Sequence, residues 1–97
     1  MATYIMLFRL TGKGIENITY SHGRIEAIKE TFQAMGTKVK EFYLLLGEYD
    51  IAFILEAPND ETVAKATLTI GSLGSVRTET LRAFTEDEYQ RIITNLR

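Results

Sequence analysis

Apolar residues recur along this chain in two rhythms: dense runs that suit strands, and three-to-four-residue spacing that suits helices. The segment Thr3 to Leu10 is of the first kind. Alternation puts Tyr4, Met6, Phe8 and Leu10 on one face and Ile5 and Leu7 on the other, so both faces are largely apolar. Thr11-Gly12-Lys13-Gly14 breaks the strand, and Ile15 to Ile18 reads as a single helical turn. From about Arg24 to Met35, the residues Ile25, Ile28, Phe32 and Met35 recur at helical spacing, and Gly36 follows as a stop. Lys38 to Leu46 and Asp50 to Ala57 read as strands, and Pro58 bars continuation of the ladder. Asn59-Asp60 can cap a second helix in which Val63, Ala66, Ile70 and Leu73 share a face; Gly71 and Gly74 loosen its end. Val76 to Phe84 is the fourth strand.

Beyond it, Thr85-Glu86-Asp87-Glu88 fits a capping box, with Phe84 and Tyr89 at the two positions of a hydrophobic staple. Tyr89, Ile92, Ile93 and Leu96 form an apolar stripe, so this last helix is expected to dock against the body of the protein.

The order is β-α-β-β-α-β plus a helix, an α+β arrangement of the ferredoxin-like kind in one domain spanning 1–97. Two helices cover one face of the sheet. The first and third strands are also apolar on the other face, as in sheets covered on both sides. A large bare apolar patch is uncommon on a monomer. The expected answer is a homo-oligomer, at least a dimer, whose sheets pack together.

The composition narrows the classes of function. Ninety-seven residues are enough for one core without staples. The absence of cysteine removes disulfides, thiolate metal sites and thiol nucleophiles. A net charge of −2 argues against a nucleic-acid surface, which needs a basic face. RNA-recognition domains share this topology, but here the third strand opens on Gly47-Glu48-Tyr49-Asp50 and puts acids where phosphate must approach. No run is long enough to span a bilayer, and the first residues lack the order of a signal peptide, so a cytoplasmic location is expected.

Three stretches carry a family resemblance. Gly47-Glu48-Tyr49-Asp50, the preceding Lys38-Val39-Lys40-Glu41-Phe42-Tyr43 and the later Gly74 to Phe84 are similar to segments of the GYD domain family, named for a Gly-x-Tyr-Asp turn. Members often carry Ser-Pro-x-Arg before the first helix; here it is Ser21-His22-Gly23-Arg24, without the proline. The resemblance implies a fold related to the dimeric α/β barrels and implies no established activity.

The candidate chemistry is sparse. Asp50 and Tyr49 offer a carboxylate and a phenol at the mouth of a possible cleft, where burial would make Asp50 a usable acid or base. Against that, turn aspartates commonly accept backbone amides. His22, the only histidine, is a third acid/base candidate, but its polar loop gives it no evident partner. In the fourth strand, alternation puts Arg77 and Glu79 on one face and Thr78, Thr80 and Arg82 on the other. These serve either as a polar wall with an arginine for an anionic ligand, or as a charged edge that resists aggregation. The two glycine-rich stretches read as turns rather than phosphate loops. No metal site or cofactor is expected.

The reading that follows is a homo-oligomer binding a small, partly apolar molecule in an intersubunit cleft, in a regulatory or carrier role. Its ligand contacts would be Tyr49, Asp50, Arg77, Thr78 and Arg82. The alternatives are a cofactor-independent monooxygenase, isomerase or proton-transfer enzyme using Asp50, His22 or Tyr49, and a purely structural assembly unit.

Overall fold

The computed structural model describes residues 1–97 except 13, 14, 16, 17, 75 and 97, and the side chain of residue 21. Strand β1 spans Ala2–Leu10, β2 Lys38–Leu44, β3 Ile51–Ala57 and β4 Val76–Ala83. Helix α1 spans Ser21–Ala34, α2 Asp60–Gly71 and α3 Glu86–Thr94, and a short 3-10 turn, Ile18–Tyr20, precedes α1. The strands form one antiparallel sheet in the order β2-β3-β1-β4, which is the ferredoxin-like topology. Part of the helical turn expected at Ile15 to Ile18 lies outside the described residues.

The register fixes the two faces. Phe8 stands opposite Ile51, Met6 opposite Phe53 and Tyr4 opposite Leu55. These residues are buried under α1 and α2, joined by Ile25, Ile28 and Phe32 from α1 and by Val63, Ala66 and Ile70 from α2. Phe53 is the hub, with ring centroids 4.7 Å from Phe8, 6.2 Å from Phe32 and 6.0 Å from Phe42.

Among the described residues, no helix covers the opposite face. It carries Ile5, Leu7, Ile54, Leu81 and Tyr43 side by side, since Ile5 pairs with Ile54 on one side and Leu81 on the other. Leu81 and Tyr43 are exposed. Charges rim the patch: Lys40 pairs with Glu56 at 3.7 Å on one flank, and Arg77 and Glu79 stand on the other.

The helix ends follow from local chemistry. Gly36, at φ +81°, closes α1 in a Schellman motif, with Thr37 N–H donating to Phe32 O and Gly36 N–H to Gln33 O. Asn59 caps α2 through Thr62 N–H. Thr85 and Glu88 form the full capping box on α3.

Three expectations change. Helix α1 opens at Ser21 rather than near Arg24, because without a proline nothing in Ser21-His22-Gly23 forbids helical torsions. His22 is therefore on a helix, not in a loop. Strand β2 ends at Leu44, leaving Leu45 and Leu46 in the connection to β3. The third change concerns α3, which does not dock. It buries no residue, and Tyr89, Ile92, Ile93 and Leu96 are all exposed. The radius of gyration is 14.7 Å, against about 13 Å for a compact chain of this length. The amphipathic stripe meets its sequence criterion, but none of its residues is buried among the described residues.

Candidate functional site

The Gly-x-Tyr-Asp turn joins three strands. Gly47 takes φ +135°, a conformation open to glycine, and so lets the chain reverse after β2. Asp50 then makes three bonds of 2.8 Å: its N–H donates to Phe8 O, its carbonyl accepts from Leu45 N–H, and Oδ2 accepts from Leu10 N–H. The carboxylate thus ties β1 to the head of β3, past the last pair of the ladder. This is the structural role that turn aspartates commonly take, and it occupies the strongest acid/base candidate.

Tyr49 projects toward the end of the open face. Its hydroxyl donates to Glu79. That hydrogen bond, with a smaller contribution from desolvation, raises the phenol above its ordinary value, so Tyr49 is a donor here and a poor base. Arg9 lies 5.2 Å over the Tyr49 ring and pairs with Glu48 at 2.8 Å. Arg77 stands opposite Arg9 in the ladder. Tyr49, Glu79, Arg9, Glu48 and Arg77 thus make a polar corner on the open face.

Thr78 and Arg82 lie on the other side of the same strand. They border an open groove of about 460 Å³ beside α2, together with Thr80, Thr67, Asp60 and Tyr4. Arg82 sits 5.5 Å from the Tyr4 ring and 4.5 Å from the Phe84 ring, and donates to Thr3 O at 3.2 Å. The Tyr4 hydroxyl donates to Asp60. Burial of the ring, and then this bond, raise the Tyr4 phenol.

The five proposed ligand residues therefore fall into two groups on opposite faces of the sheet: Tyr49 and Arg77 on one, Thr78 and Arg82 on the other, with Asp50 bonded into the backbone between strands. His22 is exposed in the first turn of α1. Among the described residues, no hydrogen bond links His22, Tyr49 and Asp50 to one another. The alternation in β4 was legible from sequence, and it already separated Arg77 from Thr78 and Arg82. Arg9, Glu48, Glu79 and Asp60 went unassigned as partners, and only the lone charge ending an apolar strand pointed to Arg9. Among the described residues, no cluster of histidine and carboxylate side chains could hold a metal ion.

The GYD domain family profile matches residues 4–93. The chain belongs to the GYD domain family. It is 38% identical over 84 residues to a Thermus thermophilus protein named glutamine synthetase and cystathionine beta-lyase binding protein, covering 86% of this chain and 88% of that one. A solved structure from Thermus thermophilus superposes with a TM-score of 0.58 at 30% identity, covering 88% of this chain and 95% of its own. A hypothetical protein from Pyrococcus horikoshii gives a TM-score of 0.56 at 24% identity, covering 89% and 93%, a likeness of fold alone. Among the described residues, no helix is long and apolar enough to cross a membrane.

Proposed function

We propose that this GYD domain is a non-catalytic binding module that works as a homo-oligomer and engages protein partners. The observation that carries the reading is the open sheet face, where Ile5, Leu7, Ile54, Leu81 and Tyr43 form one apolar patch inside a charged rim. Such a patch marks an interaction surface, and an apolar centre with a polar rim is the anatomy of a protein interface. The self-complementary solution is a two-fold pairing of identical faces. The corner of Tyr49, Arg77 and Glu79 then lies at the edge of that interface, where a small, partly apolar molecule can bind between subunits. The protein-binding role draws on the relative named for binding glutamine synthetase and cystathionine beta-lyase, and it makes these two enzymes the first partners to try. The acid/base candidates support an enzyme less well, since the Asp50 carboxylate accepts the Leu10 N–H and the Tyr49 hydroxyl donates to Glu79.

Leu81 is on an edge strand and exposed, so Leu81→Glu tests the reading without opening the core. Sedimentation equilibrium at micromolar concentration is expected to give at least twice the monomer mass for the wild type and the monomer mass for the variant, with unchanged far-UV circular dichroism. A wild-type monomer at these concentrations refutes the assembly. Titration calorimetry against each of the two enzymes tests the partner role separately.

A further inference from the structure

The covered face of the sheet holds a cavity that the oligomer reading does not use. Between α1 and α2, over one end of the sheet, lies a space of about 220 Å³. Its floor is Leu10, Ile51 and Val76, the end of β1 and the starts of β3 and β4; its walls are Ile25 and Ile28 of α1 and Ile70 of α2. Ile25, Ile28, Ile51, Ile70 and Val76 are each more than nine-tenths buried and form its inner wall, while Ala27, Thr69 and Leu73 are exposed at its rim, so the space is a cleft that opens to solvent between the helices.

The lining is poor in polar partners. Thr31 and Thr69 border it, but each spends its hydroxyl hydrogen on its own helix, Thr31 Oγ1 donating to Ala27 O at 2.9 Å and Thr69 Oγ1 to Lys65 O at 2.8 Å. Among the described residues, Arg24 is the one charged side chain of the lining. Water is held well only where it finds two to four polar partners, so the apolar inner wall of this cleft favours an apolar guest over the water it displaces. The floor is also held firmly. Asp50 fixes Leu10 through its N–H, and Thr11 Oγ1 donates to Gly74 O at 2.8 Å, tying the end of β1 to the connection that leads into β4. The signature aspartate thus anchors one residue of this floor, Leu10, through its backbone.

We propose that this cavity is a binding site for a compact, uncharged, apolar molecule of about eight to ten non-hydrogen atoms, scaled from the benzene that fills a cavity of about 150 Å³. A fused bicyclic ring or a branched alkyl group meets that description. The described lining comes from one chain and lies across the sheet from the oligomer face, so the proposal stands or falls independently of the proposed assembly.

Indole is a suitable probe. Titrated into the full chain and followed by amide NMR spectra, it is expected to bind saturably, with shifts centred on Leu10, Ile28, Ile51, Ile70 and Val76, and to raise the melting temperature. Ala27 borders the cavity and is itself exposed, so Ala27→Phe fills the space from a position that tolerates a larger residue. This variant is expected to melt within a few degrees of wild type and to bind indole at least tenfold more weakly. Leu81→Glu is expected to bind it as wild type does. Non-saturable binding to the wild type overturns the proposal, as does undiminished binding by Ala27→Phe. Shifts centred on Ile5, Leu7 and Leu81, lost in Leu81→Glu, would move the site to the subunit interface and also overturn it.

Discussion

The two faces of this sheet are cut from the same strands and are almost equally apolar along β1 and β3, yet one is a finished core and the other is bare. On the covered side, Met6, Phe8, Phe53 and Leu55 are fully buried beneath two helices. On the open side, Ile5, Leu7 and Ile54 are only half-buried. Helix α3 repeats the contrast: α2 and α3 are both capped and amphipathic, but Val63, Ala66 and Ile70 are buried while the stripe of α3 faces solvent. An apolar pattern states that a surface needs a partner. It does not state whether the partner is in the same chain.

The largest effect that separates the faces is expected from Phe53→Ala. Removing the ring at the centre of the aromatic cluster costs about 4 kcal/mol, comparable to the whole stability of a small domain. The unfolding midpoint in denaturant should fall by the same amount at low and high protein concentration. Ile54→Ala, one residue along and facing the other way, should give a loss that depends on protein concentration if the open face is an interface. Equal, concentration-independent losses from both would erase the distinction.

Asp50→Ala comes next. A carboxylate accepting a backbone N–H contributes about 2 kcal/mol, and its removal leaves the Leu10 N–H without that acceptor. Asp50→Asn keeps an acceptor and should cost less than half as much in the same urea titration. The reverse order would mean that the charge matters more than the bond.

The chain pattern made the element order, the two-faced first and third strands and both caps legible. Periodicity of two and of 3.6 is local, and a capping box is four consecutive residues. The site was much less legible. Tyr49 meets Glu79 and Leu10 meets Asp50 only because the strands pair in one register, Tyr4 meets Asp60 only because α2 packs over that sheet, and nothing within a window of a dozen residues specifies those pairs. The cavity depends on how far apart two helices settle. The exposure of α3 was missed because an apolar stripe reads the same whether its partner is in the chain or beyond it.

Thr85→Ala bears on α3 itself. Loss of the N-cap costs about 1 kcal/mol of local helix stability. Because α3 stands off from the core, the change should appear as roughly fivefold faster amide exchange within Glu86–Thr94, the rate factor for that energy at 25 °C. The global midpoint of a protein kept monomeric by Leu81→Glu should not move. A matching global shift in that monomer would show that α3 packs on its own chain after all.

The smallest effect is a pH dependence at the same cap. The Thr85 N–H donates to Glu88 and holds its carboxyl below the ordinary value of 4.5, with Arg82 and Arg91 assisting weakly. A depressed folded value favours the charged form in the folded state. The contribution is therefore complete above 4.5 and is lost as the pH falls through the lowered value. Helical ellipticity assigned to α3 should decline on acidification and track the Glu88 carboxyl titration by NMR. A Glu88 that titrates at or above 4.5 would mean that the box is open in solution.

The place of β1 has a consequence for how the chain is made. Of the four strands it is the first to leave the ribosome, yet it sits between β3 and β4, with Thr3 paired to Ala83. The sheet cannot flank it on both sides until β4 has emerged, and that closure spans nearly the full length of the fold. Contacts of such separation slow folding, because the loop entropy comes before the reward. During synthesis, one edge of the apolar run from Tyr4 to Phe8 can pair with β3 while its other edge waits for β4, and the charged and glycine-broken stretch that follows it keeps that run short.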